Sequence, residues 1–107
     1  MAAFEYDPER RQRWREEMAM AYRAQDGVCA ICGRRMPPLG NYEPRALQRV
    51  TREHVIPQSW GGPNQLGNIV AAHWLCNSRK SDRKPTGCEL IWLLAVNARL
   101  GVEPVKW

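Results

Sequence analysis

Histidine is scarce in this chain, with only two residues in 107, and both His54 and His73 fall in the middle-to-late part of the sequence. A glycine-rich phosphate loop and a serine-type nucleophile motif are absent, which excludes those routes to nucleotide or acyl chemistry. No apolar run approaches the length needed to cross a bilayer, so no membrane partner is expected. The N-terminal stretch mixes acidic and basic residues and lacks the apolar segment of a secretory signal, so a cytoplasmic location is expected. Repeats, low-complexity tracts and linkers are also missing, and the length suits one domain, 1–107. Cysteine is sparse as well, with four residues. In the cytosol such residues more often bind metal than form disulfides.

What is present begins with charge. The net charge of +5 fits a polyanionic partner, though alone it raises the case for nucleic acid only modestly. Cys29-Ala30-Ile31-Cys32-Gly33 has the form of a zinc knuckle, in which backbone amides of a tight turn face two thiolates and the trailing glycine permits the turn. A tetrahedral site needs a second pair, and His73-Trp74-Leu75-Cys76 supplies one with matching spacing. Cys29, Cys32, His73 and Cys76 are therefore the expected ligands of a structural Zn²⁺, a useful staple in a chain this small. Cys88 could replace His73 as fourth ligand, but its apolar neighbours favour a small core residue in the first turn of a helix.

Residues 47–54 alternate apolar and charged side chains, which suits a half-buried strand. Pro57 removes a backbone donor and Gly61-Gly62-Pro63-Asn64 is turn chemistry, so the chain leaves the strand and reverses. Residues 68–73 form a second short strand. From Asn77 to Asp82 there is neither glycine nor proline, and this stretch can turn as a helix. The expected unit is strand, loop, strand, helix, with His54 near the end of the first strand and Asn77 on the helix.

Cys29-x-x-Cys32, Glu53-His54-Val55-Ile56-Pro57, Gly61-Gly62, Asn68-Ile69-Val70 and His73-x-x-Cys76-Asn77-x-x-Lys80, in that order, resemble the HNH nucleases, whose core is called the ββα-metal fold. The likeness covers residues 27–83. It implies an α+β domain with a zinc-stapled ββα-metal core, and a metal-dependent DNA endonuclease that nicks or cuts by hydrolysis, leaving 3′-hydroxyl and 5′-phosphate ends. Such hydrolysis requires a nucleophilic water, charge relief at the phosphate and help for the leaving 3′ oxygen. Neutral His54 can accept the water proton as general base. Oxygen ligands from a carboxylate and an amide suit a hard ion such as Mg²⁺, with Mn²⁺ or Ni²⁺ as other candidates. Glu53 and Asn77 are the candidate ligands.

The resemblance implies the same roles and adds Asn68 as the asparagine that holds the histidine loop in shape. Asn64 competes for that place, but it sits in the turn and not at the strand start. Glu53 stands where aspartate is commoner and Asn77 where histidine often is, making a His-Asn-Asn variant. If the helix from Asn77 lies along a DNA groove, as the resemblance implies, Arg52, Arg79, Lys80 and Arg83 reach phosphates. Similar stand-alone phage proteins can work beside DNA-packaging proteins, so such a partner is a further expectation. Two rival readings are a zinc-stabilised nucleic-acid-binding module without catalysis and an assembly protein joined to a larger machine.

Two helices are expected outside the core. Residues 8–25 place Trp14, Met18, Ala21 and Tyr22 on one face, read as a core stripe, with Asp7-Pro8 as start and Asp26-Gly27 as stop. Arg10, Arg11, Arg13 and Arg15 are read mainly as a solvated face, though they could touch phosphates. A proline-rich loop, 36–44, separates the knuckle from the first strand. Thr86-Gly87-Cys88-Glu89 has capping-box spacing ahead of a helix over 87–100, which Gly101 and Pro104 end. That helix is apolar nearly all round, so it is either deeply buried or shared with a partner, and a homodimer through it is expected. A strictly monomeric mass at high micromolar concentration counts against the dimer.

Overall fold

In the computed structural model, which describes residues 7–40 and 47–103, Asp7 caps helix α1 (Pro8–Ala24). Its carboxylate accepts hydrogen bonds from the N–H groups of Glu9 and Arg10, two of the donors that a helix start leaves open. At the other end Asp26 and Gly27 have φ of 53° and 72°, and this left-handed pair turns the chain toward the Cys29 knuckle. Residues 41–44 of the proline-rich stretch and Pro104 lie outside the described residues.

Strands β1 (Val50–His54) and β2 (Ile69–His73) pair antiparallel, Val50 opposite His73 and His54 opposite Ile69. Helix α2 (Trp74–Lys80) follows directly, with His73 in the cap position. It therefore begins three residues before Asn77, the expected start. The same fact shortens the first strand. Once β2 has ended at His73, the carbonyls of Arg49 and Leu47 accept from the N–H groups of Trp74 and Leu75 at 2.7 and 3.0 Å. Residues 47–49 thus hold the start of α2 instead of extending the sheet.

All five residues of β2 are buried. Its small Ala71 and Ala72 admit close neighbours, and the side chain of Gln25, fully buried, bonds both the N–H (2.7 Å) and the C=O (2.8 Å) of Ala71. A side chain here does what a third strand would do for an edge. Alternation along β1 sends Arg52 toward α1, where it meets Glu17, and Thr51 and Glu53 toward α2, where they meet Asn77 and Lys80. The sheet is thus covered on two sides, and β1 is not the half-solvated strand that its pattern suggests.

Helix α3 (Gly87–Leu100) has the expected capping box between Thr86 and Glu89 and ends at Gly101 in the left-handed conformation. Leu93 and Val96 enter the core, while Ile91 and Leu94 remain 69% and 62% exposed. The apolar stripe of α1 also divides. Ala21 is fully buried, whereas Trp14 is 40% exposed, which corrects its assignment to the core. A helix of 17 residues is about 25 Å long, against about 17 Å for a five-residue strand, so the first turns of α1 have less sheet to cover. Among the described residues no helix is long and apolar enough to cross a membrane.

Candidate active site and metal centre

The knuckle around Cys29 is closed by a bridge between Val28 and Arg35. Within it the N–H groups of Ile31 and Arg34 point at the sulfurs of Cys29 and Cys32, and the N–H of His73 reaches Cys29 Sγ, each at 3.4 Å. Because β2 runs straight into α2, His73 and Cys76 arrive beside this turn. One ligand atom from each of Cys29, Cys32, His73 and Cys76 lies within 4.8 Å of all the others. The imidazole is oriented for ligation: Nε2 lies 3.2 Å from the carbonyl of Arg35, to which it donates, and Nδ1 lies 3.4 Å from Cys32 Sγ. Such an outer partner fixes the tautomer of a metal-binding histidine. Burial, with the neighbouring Cys29 and Cys32, pushes the Cys76 thiol up to about 12, as expected of crowded sulfurs that only a cation can hold together as thiolates. The donor set fits Zn²⁺. Cys88 is not one of the four; it sits in the first turn of α3.

A second site lies at the far end of β1. A cleft of about 220 Å³ is lined by Glu53, His54, Gln58, Asn77, Ser81 and Asp82 among others. Glu53 is 3% exposed. Its Oε1 is 3.5 Å from the ammonium of Lys80, and its Oε2 has no hydrogen-bond partner. Burial raises this carboxyl to about 7, with Lys80 opposing the shift. A buried carboxylate oxygen without a partner is costly, and a cation beside it removes that cost. Asn77 donates its amide hydrogens to Thr51 Oγ1 (3.2 Å) and the Arg52 carbonyl (3.4 Å), so the free face of the planar amide is its oxygen. Glu53 and Asn77 therefore fit a hard divalent ion.

His54 is tuned by a neighbour. Its Nε2 lies 2.9 Å from Asn64 Oδ1, and the same oxygen accepts from Arg52 Nη1. An amide oxygen only accepts, so Nε2 carries the hydrogen and Nδ1 is the basic nitrogen. Burial lowers the pKa of His54, against the pull of the Asn64 bond, which keeps the ring neutral near physiological pH.

The loop between the strands is held by Asn68, fully buried. Its Oδ1 accepts from Ile56 N–H at 2.8 Å, and its Nδ2 donates to the carbonyls of Ile56 and Pro63 at 3.0 Å each. Gly62 closes the same loop. A Cβ there would stand 1.9 Å from the carbonyl oxygen of Ile56, a contact that no side chain can make. Asn68→Ala strips partners from three backbone groups at once. We expect a loss on the order of 3 kcal/mol and a melting temperature lower by roughly 10 °C or more; a thermal melt within two degrees of the parent would contradict the clamp.

The sequence model of the HNH endonuclease family matches residues 29–83, a little over half the chain, and this span holds both sites just described. The chain belongs to the HNH endonuclease family. No curated protein matches it. The pair of antiparallel strands, the helix that follows and the Cys/His cluster agree with the ββα-metal fold of that family, and membership carries nuclease-type activity as its general expectation.

Against this HNH frame the expected residues divide. Glu53, His54 and Asn77 come together in one cleft, and Asn68 supports the loop behind them. Arg79, in the last turn of α2, and Arg83, beyond it, are exposed. Arg52 and Lys80 are not available to phosphates, which corrects their expected contact with nucleic acid. Arg52 is 5% exposed and paired with Glu17 at 2.8 Å. Lys80 is 6% exposed, and its ammonium donates to the carbonyls of His54 and Val55 and to Glu89 Oε2, at 3.0, 2.9 and 2.8 Å. The cause is that both point into the packed interior on either side of β1. Asn64, set aside because it lies in the turn, proves to be the residue that touches His54. Asp82 in the cleft wall was also missed, and only its place just after α2 could have signalled it.

Proposed function

We propose that this HNH protein is a metal-dependent DNA endonuclease that hydrolyses a phosphodiester bond in the cleft between β1 and α2. The observation that carries this reading is the meeting, in one cleft, of a buried carboxylate with an unbonded oxygen and a histidine whose Nε2 hydrogen is already committed. His54 Nδ1 accepts a proton from the attacking water. The water oxygen bonds to phosphorus as the bond to the 3′ oxygen breaks, and that oxygen leaves as a hydroxyl after gaining a proton from solvent, with the phosphate kept on the 5′ end. Glu53 and Asn77 would hold the divalent ion, Mg²⁺ or a substitute such as Mn²⁺ or Ni²⁺, which supplies charge relief at the phosphate and the leaving oxygen. Asn64 sets the tautomer of His54, and Asn68 fixes the loop that presents it. The Cys29, Cys32, His73 and Cys76 site stays structural, since four protein ligands leave no open position.

Supercoiled plasmid mixed with zinc-loaded protein is expected to be nicked or linearised with Mg²⁺, Mn²⁺ or Ni²⁺ and to remain intact without added ion. No cutting by folded, zinc-loaded protein with any of these ions returns the protein to the class of zinc-stabilised binding modules.

Glu53 also sets a pH dependence. Its carboxyl titrates near 7, so below that pH a proton competes with the cation for the same oxygen. Mn²⁺ affinity should fall about tenfold per pH unit on the acid side and level off on the alkaline side. Calorimetric titration between pH 5.5 and 8.5 checks this, and a flat profile would remove Glu53 as ligand. Glu53→Gln should abolish the binding at every pH.

A further inference from the structure

Beside the cleft runs a larger groove, about 1140 Å³, above the roughly 300–1,000 Å³ of ordinary small-molecule pockets. Gln58 and Asn77 line both, so the two adjoin. One wall is α1, where Arg10, Arg11, Trp14, Arg15 and Met18 share one helical face. The charged residues along the groove, among those described, are Arg10, Arg11, Arg15, Arg23 and Arg49, with the buried Arg52 that Glu17 already holds and a single carboxylate, Asp7, which is engaged in capping α1. The acidic residues of α1 are not among those lining the groove: Glu16 accepts from Gln12, Glu17 binds Arg52, and Glu9 is absent from the wall. Arg10, Arg15 and Arg23 are exposed and make no side-chain hydrogen bond or ion pair among the described residues. Between these cations the wall is apolar, formed by Trp14, Met18, Leu39, Val50 and Trp74.

We propose that this groove holds an unpaired nucleic-acid strand adjoining the scissile phosphate. The inference rests on the endonuclease reading and adds a substrate preference to it: ends, flaps or gaps over blunt duplex. Guanidinium groups answer the phosphates, while an apolar wall carrying a half-exposed tryptophan answers base faces. In a duplex those faces are stacked inside, and such a wall would meet only sugar and phosphate; an unpaired strand offers them freely. Arg49 already lies over the Trp74 ring, 4.8 Å from its centre, which leaves Trp14 as the stacking platform.

The test measures binding by fluorescence anisotropy, using the full-length chain carrying His54→Ala so that no DNA is cut. The probes are a blunt duplex and the same duplex with a single-stranded overhang. The overhang should bind at least tenfold more tightly than the blunt duplex. Adding Trp14→Ala should weaken overhang binding about tenfold, and Trp14→Phe should restore most of it. Arg10→Gln, Arg15→Gln and Arg23→Gln together should lower the slope of log affinity against log salt by about two. Equal binding of blunt and overhanging duplexes, no effect of Trp14→Ala, or an unchanged salt slope each overturns the proposal, as does absence of binding. Wild type that nicks plasmid yet shows no overhang preference removes this inference and leaves the endonuclease; overhang preference with no cutting by wild type removes the endonuclease and overturns the substrate preference, leaving only strand binding in the groove.

Discussion

Cys29→Ser should leave a chain that binds no structural zinc and does not hold its fold at 37 °C. Cys29 and Ala30 belong to the buried core together with Ala21, Val70 and Leu93, so the knuckle is part of the interior. It also carries the covalent path from α1 to β1, and the N–H of Ala30 donates to the carbonyl of Ala71 in β2. Structural zinc contributes roughly 10–16 kcal/mol in small zinc domains, comparable with the whole stability of about 5–15 kcal/mol of a typical domain. A domain with a two-stranded sheet has little else to replace it. Metal analysis and circular dichroism check this. A zinc-free protein that melts within a few degrees of the loaded one would show that the cluster is ornamental.

The active-site expectation has a comparable magnitude. Removing a positioned general base costs about 10²–10⁴ in rate, and His54→Ala should show a loss of that order. The fold should survive it, because the ring is only partly buried and its one hydrogen bond is to Asn64. Asn64→Ala should act through the same ring, since it removes the bond that commits the Nε2 hydrogen.

Much of this arrangement was legible in the sequence, for identifiable reasons. Asp7 before proline, the Thr86 and Glu89 pair and Gly101 are local signals whose chemistry acts within a few residues, and the structure realises each one. The meeting of Cys29, Cys32, His73 and Cys76 was legible because two short spacings leave few geometries. What failed were inferences from pattern about distant surroundings. Alternation along residues 47–54 was read as one wet face and one dry face, but α1 and α2 cover both. Arg52 and Lys80 therefore became interior partners of Glu17 and Glu89, contacts 35 and 9 residues away that no local pattern encodes. Trp14 failed in the opposite sense. Its helical face was right, but the reach of the sheet beneath it depends on where β1 begins, and that was set by Trp74 and Leu75 drawing residues 47–49 to α2. Asn64 was visible as a turn residue, while its value as a partner of His54 appears only when the loop folds back under the clamp of Asn68.

Most direct of all is a supercoiled-plasmid assay with Mn²⁺ on wild type beside His54→Ala, after zinc has been quantified in both. Metal-dependent cutting by wild type, a loss of at least a hundredfold in His54→Ala, and one zinc per chain in each are the results expected. Cutting by His54→Ala at the wild-type rate, in protein of equal zinc content and fold, would contradict the account of this site.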